Sequence, residues 1–245
     1  MCDHVTEQRP STAVGRRQLL GISISAAGVV AVSACGSPQP KTGQSGAPAE
    51  EEVSVTPPED LMREHGVLKR VLLIYREGIR RLQGGDETPV QALNASAGII
   101  RSFIEDYHEH LEEQYVFPRL EQANKLTDTT AVLRTQHQRG RSLTDRVLAA
   151  TTAAAATGKP AREALIQDMA AFIRMYEPHE AREDTVVFTA LRDVVPATQF
   201  RDLADTFEDE EHRRFGQRGF EGVVDNVADI EKSLGIYDLS QFTPS

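Results

Sequence analysis

The chain has 245 residues, of which 40% are hydrophobic and 26% are charged. This length can bury one sizeable core but is short for two large domains. The formal net charge is −10, so we expect no nucleic-acid partner, because attraction to phosphates cannot drive such binding. The two cysteines, Cys2 and Cys35, precede the predicted folded region, which excludes a disulfide framework in the core.

Residues 1–34 are predicted to be an export signal. Arg16 and Arg17 directly precede an uncharged apolar run at 19–32, which is shorter than a membrane-spanning helix and typical of a twin-arginine leader. The run ends in Val-Ser-Ala-Cys-Gly, which resembles a bacterial lipobox with Cys35 as the acylated residue. The alternatives are an ordinary cleavage site or a plain membrane anchor. We expect an exported lipoprotein, anchored on the outer side of the cytoplasmic membrane.

Residues 35–57 are predicted to be a disordered tether. The segment is rich in Pro, Gly, Ser, Gln and Glu and contains no aromatic residue, so it cannot bury enough apolar surface to fold. We assign residues 58–192 to a four-helix bundle. Residues 193–245 are assigned to a helical extension that packs outside it.

Four long helices are predicted from their start and stop signals. Each begins at hydroxyl, acidic or proline residues, which can satisfy or remove the free amides of a first turn. Paired glycines end the first helix. The predicted helices run from Thr56 to Gly84, from Thr88 toward Leu120, from Thr127 or Asp128 toward Gly158, and from Pro160 to about residue 192.

The buried face of each helix is predicted from apolar residues three or four positions apart. Such helices, joined by short connections, predict an all-α fold, an antiparallel up-down-up-down four-helix bundle with extra C-terminal helices. The predicted rows are Leu61, His65, Leu68, Leu72, Tyr75, Ile79 and Leu82; Leu93, Ala97, Ile100, Ile104, His108, Leu111 and Tyr115; Leu133, His137, Gly140, Thr144 and Val147; and Leu165, Met169, Phe172, Tyr176, His179, Glu183, Val186 and Ala190.

Histidine and glutamate interrupt these apolar rows in every predicted helix. Taken singly, each could be a hydrogen-bonded core residue or a solvated surface group. Taken together, burying all of them without a metal would cost several kcal/mol, and imidazole with carboxylate suits a pair of iron ions. The predicted metal ligands are His65, His108, Glu112, His137, His179 and Glu183.

Two of these histidines are each followed by a glutamate four positions later, which places the pair on one helix face. The pairs are His108 with Glu112 and His179 with Glu183. The spacing to a later phenylalanine is the same in both strings, HEHLEEQYVF and HEAREDTVVF. This repetition indicates an internal duplication of a two-helix unit.

The ligand strings resemble the hemerythrin-like, or HHE cation-binding, family across roughly Leu61 to Leu191. They are REHGVL, YHEHLEEQYVFP, RTQHQRG and YEPHEARED. The resemblance implies a non-heme di-iron centre bridged by the two glutamates and an oxo or hydroxo group. It also implies binding or sensing of dioxygen or nitric oxide, or repair of damaged iron centres. The single histidine on the third helix departs from the oxygen carriers, implies an open iron position and argues against reversible oxygen carriage.

Other functions stay open at this point. No nucleophile or acid/base pair is evident beyond the predicted ligands, so a gas-binding protein is favoured over an enzyme. The alternatives are a di-iron oxidase or peroxidase-like enzyme, an iron-handling protein, and a structural bundle that binds zinc adventitiously. Neither a protein partner nor an oligomeric state follows from the sequence.

Several polar residues beside the predicted ligands have two interpretations. For Tyr107 and Tyr176, core packing is favoured over hydrogen bonds to ligands. Glu109 and Glu180 each follow a ligand histidine but point about 100° away from it in an ideal helix, so they are not preferred as ligands.

A second cation site is a weaker possibility in the C-terminal extension. Glu208, Glu211 and His212 lie in a run of acidic residues. Such a run is usually a solvated helix face, and that interpretation is favoured here.

Overall fold

The computed structural model describes residues 55–87, 89–152 and 158–244. The predicted export signal, Cys35, most of the predicted tether and Thr88 lie outside these residues. In the described part, the regular secondary structure is helical throughout, which confirms the predicted all-α class. No helix in this part is long and apolar enough to cross a membrane.

Four long helices form the bundle, and two of them contain π-helical segments. Helix α1 is Pro57–Gly84 and helix α3 is Thr127–Ala150. Helix α2 consists of Val90–Ile99, π-helical Ile100–His108, Glu109–Leu111, π-helical Glu112–Val116 and Phe117–Gln122. Helix α4 consists of Lys159–Arg182, π-helical Glu183–Val187 and Phe188–Val194.

The ends of α1 follow the predicted signals. The amide and the hydroxyl of Thr56 both donate to the Glu59 carboxylate, at 2.9 and 2.7 Å, which satisfies an amide that the helix leaves free. Gly85 ends the helix in the left-handed region, at φ 78°, where glycine has no steric penalty.

The bundle closes on itself around one core. Helices α1, α2, α3 and α4 each pack against the next, and α4 packs against α1. The predicted rows of α1 and α3 lie in this core, fully buried except for Ile79, which is half-buried and packs against it. Every histidine of the four rows is therefore directed toward the bundle interior.

The π-helical turns shift the buried rows of α2 and α4 by one residue. The sequence placed Tyr115 in the apolar row of α2, and Val186 with Ala190 on the buried face of α4. The structure buries Val116, Val187 and Leu191 completely instead, and the predicted residues are half-buried. A π turn contains one more residue than an α turn. After such a turn, the buried face is therefore occupied by the residue one position later in the chain.

The C-terminal extension packs on the outside of α1 and α2. It contains helix α5, Ala197–Phe215, a 3₁₀ turn, Gly216–Arg218, helix α6, Gly219–Leu234, and a last 3₁₀ turn, Leu239–Phe242.

Aromatic contacts and an ion pair hold the extension in place. The Phe215 ring of α5 lies 5.4 Å from the rings of Phe103 and Tyr107 in α2. The Arg70 guanidinium of α1 donates to the Glu231 carboxylate of α6 at 3.0 and 2.6 Å. Tyr107 therefore serves packing, as the sequence analysis favoured.

The acidic run in α5 is not wholly a solvated face. Glu211 is fully buried, and its carboxylate accepts the Phe220 amide at the start of α6 at 3.0 Å. Within the described ranges, no group of potential metal donors includes Glu208, Glu211 or His212. The solvated-face interpretation is therefore wrong for Glu211, which connects the two helices of the extension.

Replacement of Gly140 should destabilise the bundle. A Cβ at Gly140 would overlap the Tyr176 hydroxyl, which is held by its 2.6 Å hydrogen bond to Glu109. We expect Gly140→Ala to lower the free energy of unfolding by about 1–3 kcal/mol, as overpacked cores do, measured by chemical denaturation.

Gly98 provides the matched control for this prediction. It also lies inside a bundle helix, but a Cβ there meets nothing within 4 Å. Gly98→Ala should stabilise the protein by up to about 1 kcal/mol through lower chain entropy. Equal effects of the two substitutions would contradict the close approach at Gly140.

Candidate metal centre

The structure brings all six predicted ligands together in the middle of the bundle. Each is at most 4% exposed. Two groups of side chains have donor atoms within 4.8 Å of one another: His65, His108, Glu112 and Glu183, and His137, His179 and Glu183. Glu183 belongs to both groups, which gives the cluster the form of two adjoining sites with a shared carboxylate.

Each glutamate lies between imidazoles of two helices. The Glu183 Oε2 atom is 3.1 Å from His179 Nε2 and 3.4 Å from His65 Nε2. The Glu112 oxygens lie 3.7 Å from His108 Nε2 and 3.5 Å from His137 Nε2. All four Nε2 atoms therefore face carboxylate oxygens at the centre.

The Nδ1 atom of each of these four histidines makes a hydrogen bond to an oxygen from another helix. His108 Nδ1 bonds to Glu64 at 2.8 Å, and His137 Nδ1 bonds to Glu113 at 2.9 Å. His179 Nδ1 bonds to Gln136 at 2.8 Å, and His65 Nδ1 bonds to Asp184 at 2.7 Å. We call these four contacts the Nδ1 ring, because they lead from α1 to α2, α3, α4 and back to α1.

Sequence reasoning missed the acceptors of the Nδ1 ring, although each adjoins a predicted ligand. Glu64 and Gln136 directly precede the ligand histidines of α1 and α3, while Glu113 and Asp184 directly follow the ligand glutamates of α2 and α4. The two halves of the chain thus contribute acceptors at equivalent positions. The available signal was a polar residue next to each ligand, repeated in both halves.

The Nδ1 ring fixes the orientation and tautomer of the imidazoles. A neutral histidine that donates its Nδ1 hydrogen to an oxygen keeps the Nε2 lone pair free for a metal. The arrangement is typical of metal-binding histidines, whose second nitrogen contacts a carboxylate or carbonyl.

Several buried donor atoms have no hydrogen-bond partner, so the residues present fit a metal pair. Both Glu112 oxygens, both Glu183 oxygens and His108 Nε2 lack a hydrogen bond. Leaving buried charged or polar atoms unsatisfied is costly. Cations between these atoms would remove that cost, and imidazole with carboxylate is a donor set that iron accepts.

Burial sets the protonation states of several donors. It lowers the pKa of His108 and lowers that of His137 to about 4, which keeps both imidazoles neutral, as metal ligation requires. Burial and the charge of Glu183 together raise the pKa of Glu112. Burial also lowers the pKa of His65, but Asp184 and Glu183 outweigh it and raise the value to about 9, so a cation must displace a proton there.

Acidic side chains outnumber basic ones around the centre. Glu112 and Glu183 lie at the centre, and Glu64, Glu113 and Asp184 contact its imidazoles, whereas Arg141 contacts Glu113 at 2.9 Å. Bound cations would offset this excess of carboxylates.

A buried polar cluster adjoins the ligands. Tyr176 donates to Glu109 at 2.6 Å, and its ring centroid lies 5.2 Å from that of His179. Burial raises the pKa of Glu109 to about 8, although Tyr176 and Arg141 lower it. Tyr176 therefore both packs in the core and forms a polar contact, whereas the sequence analysis favoured packing alone.

Glu109 and Glu180 are buried but have other partners. The Arg141 guanidinium lies 2.9 Å from Glu109, and the Lys69 ammonium lies 3.5 Å from Glu180. Glu109, Glu113 and His137 also form a possible donor group, but Arg141 already contacts both carboxylates. We interpret that group as an ion-pair cluster beside the centre.

Comparisons with known proteins agree with this geometry. Residues 56–191 match the family model of the hemerythrin HHE cation binding domain. The chain is 74% identical over 243 residues to the uncharacterized protein Rv1995 of Mycobacterium tuberculosis and to the uncharacterized protein Mb2018 of Mycobacterium bovis, covering 98% of this chain and 95% of each relative. No solved structure matches the chain. The matched segment spans more than half of the chain and contains all six donors, and the chain belongs to the hemerythrin HHE cation-binding family.

Proposed function

We propose that the chain is a non-heme di-iron protein that binds or senses dioxygen or nitric oxide. The observation that carries the proposal is the pair of donor groups that share Glu183. His65, His108 and Glu112 complete one group, and His137 with His179 completes the other. A shared carboxylate between two sets of imidazoles is suited to two adjacent cations. A single cation would not require the second set.

Iron fits these donors. Four imidazoles and two carboxylates form a nitrogen and oxygen set without thiolates, which favours a borderline metal over a soft one. Two ferrous ions held by these residues would supply electrons and a binding position for dioxygen or nitric oxide. The chain's own residues hold the ions and orient the imidazoles through the Nδ1 ring.

Burial favours a small ligand over a bulky substrate. The Phe188 ring stacks on His65 and the Phe117 ring stacks on His137, each with centroids 5.6 Å apart. Both phenylalanines are fully buried and exclude water from the adjacent imidazoles. None of the six donors is more than 4% exposed, which leaves room at the donors for a diatomic gas but not for an organic substrate.

A di-iron oxidase or peroxidase-like enzyme is the second candidate. The hydrogen bond from Tyr176 to Glu109 favours it, because it orients a buried phenol beside His179. A phenol in this position can supply a proton during reduction of an oxidant.

Iron content should depend more on the ligand that both donor groups share than on a ligand of one group. We expect about two irons per wild-type chain, as a shared donor set implies. Glu183→Ala should lose both irons, because Glu183 belongs to both groups. His108→Ala should lose mainly one, because His108 belongs to a single group. Elemental analysis and optical absorption of the full chain measure this.

Two variants serve as controls for the iron measurement. His110→Ala and Glu163→Ala remove the same residue types outside both donor groups and should keep full iron content. Glu183→Gln replaces Glu183→Ala if circular dichroism shows loss of helix. Unchanged iron in both ligand variants would reject the proposed centre.

Gas mixing separates the two candidate functions. We expect the ferrous protein to take up dioxygen or nitric oxide in proportion to its iron, without continued consumption when reductant is present. Stopped-flow absorption and an oxygen electrode measure uptake and turnover. Sustained oxygen or peroxide consumption, slowed several-fold by Tyr176→Phe, would instead support the enzyme.

We also propose that the chain is exported and anchored to the membrane through acylated Cys35. The support is the twin-arginine run and the lipobox-like string. Because each buried methylene of an acyl chain favours the membrane by about 0.8 kcal/mol, Cys35→Ser should move the protein from the membrane fraction to the soluble fraction. Cys2→Ser is the matched control and should stay with the membrane. Membrane retention of Cys35→Ser would contradict the anchor.

A further inference from the structure

We infer that the two metal positions are unequal, and that Gln136 makes the position beside His137 and His179 the one that exchanges its ion. This inference rests on the proposed di-iron function. It concerns which ion is held less tightly and which side of the bundle it leaves from.

The first argument is a broken equivalence within the Nδ1 ring. Glu64 and Gln136 occupy corresponding positions, each directly before a ligand histidine, and each accepts from the histidine of the following helix at 2.8 Å. The other two acceptors, Glu113 and Asp184, are both carboxylates. Gln136 is therefore the one neutral acceptor among the four.

The second argument is the chemistry of the acceptor. A hydrogen bond to a carboxylate is about twice as strong as one between neutral groups, and a carboxylate makes the imidazole a better metal donor. The amide of Gln136 gives His179 less of this support than Glu64 gives His108. His179 is accordingly the weakest of the four imidazole donors.

The third argument is access from solvent. A cavity of about 380 Å³ opens between α3 and α4, and its lining includes Gln136, Pro178 and His179. The exposed Asp128 and Arg182 line its solvent side. The hydrogen bond of Gln136 to His179 thus lies at the inner wall of an opening, and breaking this neutral contact frees the imidazole to move.

Metal titration and release test the inference directly. The metal-free full chain is titrated anaerobically with Co²⁺, whose visible absorption reports each occupied position, and the loaded chain is then mixed with a chelator. We expect two binding steps and two release phases in the wild type. Gln136→Glu should tighten the weaker step and slow the fast phase by about 10-fold or more, within the range known for such outer contacts.

Two further variants test which metal position each acceptor controls. Gln136→Leu removes the hydrogen bond and should speed the fast phase while leaving the slow phase unchanged. Glu64→Gln places an amide behind His108 and should speed the slow phase. The two variants should therefore change different release phases, which a general loss of stability does not predict.

Gln138→Glu is the matched control. It adds the same charge on the same helix at an exposed position two residues away and should change neither phase. One binding step with equal affinities in the wild type, or an unchanged fast phase in Gln136→Glu, would overturn the inference and leave the di-iron proposal standing. Failure of the wild type to bind two ions would overturn both.

Discussion

The Nδ1 ring is the interaction on which the candidate centre depends. Four histidines come from four helices, and each is held by an oxygen from the neighbouring helix. Without these contacts an imidazole can rotate or take the other tautomer, and its Nε2 atom no longer faces the two glutamates. The ring also places carboxylate charge behind most donors. The same contacts therefore set the geometry and the electrostatics of the site.

Most of the fold was predictable because it follows from local rules. The apolar rows of α1 and α3 follow helical periodicity without interruption, and the structure confirms the all-α prediction. The π turns beginning at Glu112 and Glu183 defeated the same rule in α2 and α4, since periodicity analysis assumes a constant number of residues per turn. Such turns occur often at functional sites, and these two begin at predicted ligands.

The convergence of the six donors was also predictable, whereas their partners were not. A histidine in an apolar row must face the core, so its direction follows from its own helix. The partner of its second nitrogen depends on which helix lies beside it and at what height, which no single helix encodes. In the sequence, Gln136 and Asp184 are polar residues next to ligands. They look like ordinary surface positions, because the sequence does not show which helix lies beside them.

The order of contacts around the Nδ1 ring has a consequence for local unfolding. Every bundle helix contributes one imidazole and one acceptor, so the detachment of a single helix breaks two of the four links at once. No helical hairpin alone contains more than one complete link. The donor set is therefore lost cooperatively, as one unit, and metal retention reports whether all four helices are docked.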